Sequence, residues 1–373
     1  MKKRKSSYEL LRIISMFLII AWHYATTFSM KEGGVLATGL TGYHVFALII
    51  GSWGQLGVDL FVILGIFFMS KGNRFKSKKM ICIILETSFY ALLWFVISTY
   101  CFNISVSLGE LIRQILGAFT GTHWFITAYL LLYLFHPVLN TIIEKLDNKQ
   151  LIQITVLLTL CGSIYKTIYT KAPVCDFLFF VNIYFLINCI ERTNIKGTLV
   201  KSKKLAFISL LSLTGINLLI LVMGEVTKSD LIKEHSIYLN HRGSVLVLIV
   251  AVLIFYAIKE SDSFQSNIVN IIASTSLGVY LSHQGISQDV WKHLFIDDSL
   301  IGMEACLHML YSIFIIFICC IIIDLIRQYT FEFVLVKILD IKHIKSALTK
   351  IDKFVNGYDE KDNSKNMEKH NLK

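Results

Sequence analysis

Residues 8–28, YELLRIISMFLIIAWHYATTF, decide the fold. A helix needs about 20 predominantly apolar residues to cross a hydrocarbon core, and this run supplies them. Arg12 and His23 interrupt it, and the basic stretch Lys2-Lys3-Arg4-Lys5 precedes it. A cleaved signal peptide would end in small residues, which do not follow here, so the segment reads as a retained first helix.

The rest of the chain repeats the pattern. Of 373 residues, 55% are hydrophobic and 17% charged, and the mean hydropathy is positive. A soluble domain of this length needs more charge to cover its surface. Apolar runs fall at about 8–28, 46–69, 80–102, 123–144, 151–170, 173–191, 204–224, 239–258, 268–288 and 305–328. The expectation is an all-α, polytopic membrane protein with about ten transmembrane helices. Segment 108–121 is apolar but short and glycine-bearing, and reads as a half-helix or interfacial loop. From about 341 the sequence turns polar, so a membrane domain over 1–340 and a polar tail over 341–373 that need not fold are expected. No internal repeat is evident. The net charge of +10 does not point to nucleic acid, because the basic residues sit in short clusters between apolar runs. The eight cysteines are scattered without CxxC spacing, so they read as small apolar residues rather than metal ligands or a disulfide framework.

Loop charges orient the runs. Lys71, Arg74, Lys76, Lys78 and Lys79 follow the second run with no acid among them. Arg192, Lys196, Lys201, Lys203 and Lys204 follow the sixth, where Glu191 is the single acid. After the ninth the balance reverses, with Asp289, Asp297, Asp298 and Glu304 against Lys292. The positive-inside rule then puts even-numbered exits and both termini in the cytoplasm.

Ionisable groups inside lipid are costly and mark candidate sites. Arg12 and His23 lie eleven residues apart, three helical turns with about 20° of drift, and roughly 16 Å along the axis. One face therefore offers a cation in the inner leaflet and an imidazole in the outer one. A plainer reading has Arg12 snorkelling or paired with Glu9, and His23 as an interfacial residue between Trp22 and Tyr24. His283 and His123 fall at a similar outer depth on other helices, and three histidines there would make a polar cavity where a base takes a proton from a hydroxyl. Asp59, near the middle of the second run, is placed to pair with Arg12, to orient a histidine, or simply to hydrogen-bond between helices. Glu86, Asn182 and Asn188 are further buried polar groups with no evident partner, and His136-Pro137 reads as a kink or helix end. Nucleotide-binding glycine loops, HExxH helices and GxSxG elbows are absent from the sequence, which leaves soluble hydrolase and ATPase chemistry without support.

Four segments, in order, resemble the acyltransferase 3 family of membrane O-acyltransferases. They are Glu9-Leu10-Leu11-Arg12 running on to Ala21-Trp22-His23, Gly54-Gln55-Leu56-Gly57-Val58-Asp59-Leu60-Phe61, His123-Trp124-Phe125-Ile126 with Tyr133 to Leu139, and Leu277-Gly278-Val279-Tyr280-Leu281-Ser282-His283. The resemblance implies a ten-helix core that moves an acyl group from cytoplasmic acetyl-CoA, or another short acyl-CoA, to an extracytoplasmic glycan, with no metal. It implies that His23 is the catalytic histidine and that Arg12 acts with it by positioning the donor. Arg12 and Arg74 would bind the CoA phosphates, and Asp59, His123, Trp124, Tyr280 and His283 would line the site. Two features depart from the family pattern. Leu64-Gly65-Ile66-Phe67 stands where Ser-Gly-Phe or Ser-Gly-Tyr is common, and Arg74 stands alone among lysines, which lack the bidentate fork of arginine. The competing expectations are a glycan flippase or exporter using the same polar cavity, and a non-catalytic sensory membrane domain.

Overall fold

The computed structural model describes residues 5–28, 41–72, 74–169, 175–193, 203–229, 232, 238–262, 264–297 and 299–357. The basic residues Lys2, Lys3, Arg4, Lys196 and Lys201, the acid Asp298 and the tail beyond 357 lie outside them. The described residues are helical throughout, without strands: α1 (Ser6–His23), α2 (Gly42–Ser52), α3 (Gly54–Met69), α4 (Ser77–Val96), α5 (Leu108–Ile115), α6 (Gly117–Thr120), α7 (Trp124–Lys145), α8 (Asn148–Thr159), α9 (Tyr165–Ile168), α10 (Asp176–Arg192), α11 (Lys203–Val226), α12 (Val245–Lys259), α13 (Asn267–Ser274), α14 (Ser276–Ser282), α15 (Ser287–Phe295), α16 (Gly302–Arg327), α17 (Phe333–Leu339) and α18 (Lys342–Asn356).

Seven helical segments among these residues are long and apolar enough to cross a membrane: 6–26, 42–69, 77–101, 124–145, 148–168, 203–226 and 302–339. Helices 245–259 and 267–282 are apolar but shorter. Helix α10 is buried along much of its length yet carries Asp176, Glu191 and Arg192. The sequence offers ten apolar runs and the helices supply seven full-length spans, because a hydropathy run counts apolar residues without asking whether one unbroken helix contains them. The run at 268–288, for instance, has its helix end at Ser282. Outward-facing Leu92, Val96, Phe207, Leu211, Leu219 and Phe314 are exposed. Such a surface matches lipid, where only the backbone must be satisfied internally. The chain is a multi-pass membrane protein.

Helix α1 stands at the centre, packed on α3 and touching α2, α12, α13, α14 and α16. Leu11, Met16, Ile19 and Ile20 are buried on it while Leu10 and Ile14 face outward. Its approach to α3 is close enough that a Cβ on Gly57 would lie 2.6 Å from the Ser15 carbonyl oxygen. Small residues permit this backbone proximity, which drives helix association where lipid offers no hydrophobic contrast. The glycines of Gly54-Gln55-Leu56-Gly57 thus have a packing reason.

Three details of the sequence reading change. Helix α7 runs through Pro137 without ending; His136 Nδ1 lies 2.5 Å from the Tyr133 carbonyl oxygen, inside the stretch that Pro137, lacking an N–H, leaves without one helical bond. Asn182 gains partners in Thr159 Oγ1 and Ser163 Oγ, both at 2.9 Å. The first part of the polar tail is structured as α18, whose Asp352 accepts from Ser77 N at 2.6 Å and whose Asn356 accepts from Phe75 N at 2.8 Å. These side chains satisfy the orphan donors at the start of α4 from across the sequence. Leu348 joins Leu335 and Leu339 in a small separate core beneath them. At the same corner, the hydrogen bond from Lys78 holds the exposed Asp340 carboxyl below the usual carboxylate range.

Candidate functional site

His23 ends α1, where the backbone continues as the π-helical turn Tyr24–Phe28. His283 follows the last residue of α14. Two tryptophans fix this second corner: Trp291 Nε1 donates to the Ser282 carbonyl at 3.0 Å, and Trp94 Nε1 donates to Ser282 Oγ at 3.2 Å. Gly285, at φ +73, then turns the chain towards α15, and a Cβ there would meet Gln114 Oε1 at 2.6 Å. The positive φ is the ground on which the turn needs glycine.

The two histidines, 260 residues apart in sequence, meet. His23 Nδ1 lies 2.9 Å from His283 Nε2, and His283 Nδ1 lies 2.7 Å from the Val279 carbonyl oxygen. A carbonyl only accepts, so His283 carries its proton on Nδ1. With both rings neutral its Nε2 is then an acceptor, and His23 donates from Nδ1. That leaves His23 Nε2 with a lone pair, 2.7 Å from the Gln284 amide nitrogen, which donates to it. The tautomers follow from the network, as they must where hydrogens are assigned from partners. The arrangement is a base whose far nitrogen is anchored by a second ring, itself anchored by the backbone.

His23 opens onto a cavity of about 450 Å³, within the range of small-ligand sites, lined also by Trp22, Gln55, Trp124, Phe125, Asn240, Arg242, Tyr280 and Gln284. Trp124 and Tyr280 are where the sequence reading put site-lining residues. His123 is not: it is buried behind this cavity, lining a much smaller adjoining one with Trp94, Gln114 and Gln284. Two of the three histidines expected together thus meet, and the third stands one layer back, edge-on to Tyr280 at 6.4 Å between ring centroids.

The remaining candidates lie elsewhere. Arg12 pairs with Glu9 one turn earlier on α1, the plainer of the two expectations for it. Asp59 is buried on α3 with neither carboxylate oxygen hydrogen-bonded among the described residues. It pairs with neither Arg12 nor a histidine. Arg74 is exposed in the loop between α3 and α4. Among the described residues there is no group of three or more His, Cys, Asp or Glu side chains suited to a metal.

A second polar cluster lies between α4 and α16. Arg327 meets Glu86 at 3.0 Å, Asp324 at 2.6 Å and Glu332 at 3.0 Å. Tyr90 Oη and Gln328 Nε2 each donate to Asp324 at 2.7 Å. Glu86 thereby acquires the partner that sequence alone could not name. Gly278 on α14 makes room for this cluster, since a Cβ there would sit 2.0 Å from Asp324 Oδ1.

Sequence reasoning missed Gln55, Gln284, Asn240 and Arg242. A signal for the last two existed in the polar tetrad Asn240-His241-Arg242-Gly243, wedged at the head of an apolar run. Gln284 had a weaker one, as the neighbour of His283. A family model described as an acyltransferase domain matches residues 5–325. No curated protein and no solved structure matches the chain.

Proposed function

Since this chain belongs to the acyltransferase 3 family, we propose that it moves an acyl group, acetyl or another short chain, from cytoplasmic acyl-CoA to a hydroxyl of an extracytoplasmic glycan or its lipid-linked precursor, in the cell membrane and with both termini cytoplasmic. The observation that carries this reading is His23 on the cavity wall, with its Nδ1 2.9 Å from His283 Nε2.

In this reading His23 Nε2 takes the proton of the acceptor hydroxyl as its oxygen attacks the thioester carbonyl. The new C–O bond forms and the C–S bond breaks, and the CoA thiolate leaves with the proton returned by His23. His283 Nε2 accepts from Nδ1 throughout, steadying the imidazolium that forms between the two transfers. Gln284 would give up its bond to Nε2 to the incoming hydroxyl. A thioester donor cannot cross lipid, so the donor approaches from the basic face, where Arg12 and Arg74 would meet its phosphates. Arg12 would have to share its guanidinium between Glu9 and a phosphate.

A transporter with the same cavity is the competing class. Purified protein in lipid nanodiscs, given acetyl-CoA and a saccharide acceptor, should release free CoA and yield an acetylated sugar by NMR. His23→Ala should insert normally and lower that rate by about 10²–10⁴-fold, the usual contribution of a general base. Acetyl-CoA left intact by the wild type with every acceptor, or an unchanged rate in His23→Ala, would sink the proposal.

A further inference from the structure

The wall of the cavity away from the histidine pair is built for an anion. Arg242 lines it, stacked on Trp124 with the guanidinium carbon 3.9 Å from the ring centroid. Its Nε lies 3.0 Å from Asp176 Oδ1 as an ion pair. Among the described residues no acceptor engages its two terminal nitrogens. Lys166 stands 3.8 Å from the same Asp176 oxygen, so two cations share one carboxylate and the corner keeps a positive charge. Beside them, Asn240 is fully buried, and among the described residues neither its two amide atoms nor the buried Gln55 Oε1 has a hydrogen-bond partner. Both line the same cavity. Unsatisfied buried polar atoms are rare and costly, and here they would be met by a polar ligand.

Resting on the acyltransferase reading above, we propose that the acceptor is an acidic saccharide, whose carboxylate or phosphodiester is gripped by Arg242 while a neighbouring hydroxyl is presented to His23. A guanidinium fork matches two anionic oxygens bidentately, and the amides of Asn240 and Gln55 suit sugar hydroxyls. The two anionic groups share this chemistry, and separate probes tell them apart.

The test is binding in phosphatidylcholine nanodiscs, which supply no anionic headgroup. Three probes are titrated by microscale thermophoresis: a glucuronate-containing tetrasaccharide, a glycerol-phosphate tetramer and a neutral N-acetylglucosamine tetrasaccharide. At least one acidic probe should bind about tenfold or more tightly than the neutral one, as a charged hydrogen-bond pair warrants. Arg242→Gln should erase that preference and Arg242→Lys should restore part of it. If Arg242→Gln fails to fold, Asp176→Asn decides: removing the competing carboxylate should leave acidic binding as tight or tighter, and weakened acidic binding overturns the proposal. So do equal binding of neutral and acidic probes, a preference that survives Arg242→Gln, or no acidic binding at all. An Arg242-dependent preference in a protein that never consumes acetyl-CoA keeps this subsite and removes the enzyme reading. Acetyl-CoA consumption with neutral and acidic acceptors alike keeps the enzyme and removes the subsite.

Discussion

Two clusters of buried ionisable side chains occupy this protein, and they differ in what their polar atoms face. Around Arg327, three carboxylates, a tyrosine and a glutamine converge on one another. Around His23, the polar atoms converge on a cavity, and several of them have no hydrogen-bond partner among the described residues. The first cluster is richer in charge and would be the stronger candidate by composition alone. Its charges are spent on one another, Glu86 through an ion pair with Arg327 and Asp324 through hydrogen bonds, as a device that fixes α4 against α16. The second keeps capacity in reserve, and that reserve is what a substrate can use. Burial and charge therefore mark polar groups of either kind, whereas unspent hydrogen-bonding capacity on a cavity wall separates a site from a strut.

The contrast can be broken most sharply with one substitution in each cluster. His23→Ala should lower transfer by about 10²–10⁴-fold at unaltered thermal stability, whereas Arg327→Met should cost about 3–5 kcal/mol of stability by stranding buried carboxylates. Thermal unfolding in detergent reads the second effect, and a stable, inactive Arg327→Met would instead move that cluster into the catalytic machinery. His283→Ala sits between them. It removes only the anchor of the base, so kcat should fall by about 100-fold through misplacement of His23 with little change in KM for the acceptor. Loss of acceptor affinity instead would make His283 a binding residue. The smallest effect is expected at α18. Asp352→Ala deletes a distant cap on α4 and should lower stability by about 1 kcal/mol, measured as a shift in the unfolding midpoint with transfer intact.

The candidate site was legible in unequal measure. His23 and His283 are both visible as ionisable interruptions of apolar runs, and Trp124 and Tyr280 stand in recognisable segments. Their adjacency was not, because depth in a membrane constrains one coordinate and leaves two free. His123 illustrates the cost, since it shares the expected depth but lies behind the cavity wall. Arg12 shows another limit: with Glu9 three residues earlier, local pairing competes with any ligand, and sequence does not rank the two. Arg242 was overlooked because an arginine in a loop beside a membrane resembles ordinary topology charge. Its stacking on Trp124 joins residues far apart in sequence, which only the tertiary structure brings together.

By itself the sequence determined the helical, multi-pass membrane class, because apolar runs of membrane-spanning length leave the backbone no other means of satisfying its polar groups. It also determined the family and, with it, the segments that matter. Only the tertiary structure decided how many of those runs form full-length helices. It also decided which buried polar groups spend themselves on each other and which face a cavity. Helical periodicity fixes the face of a residue on its own helix, but a pair such as His23 and His283 is set by the packing of α1 against α14. Close approaches between helices, such as that of α1 to α3 at Gly57, are likewise encoded by no single run of sequence.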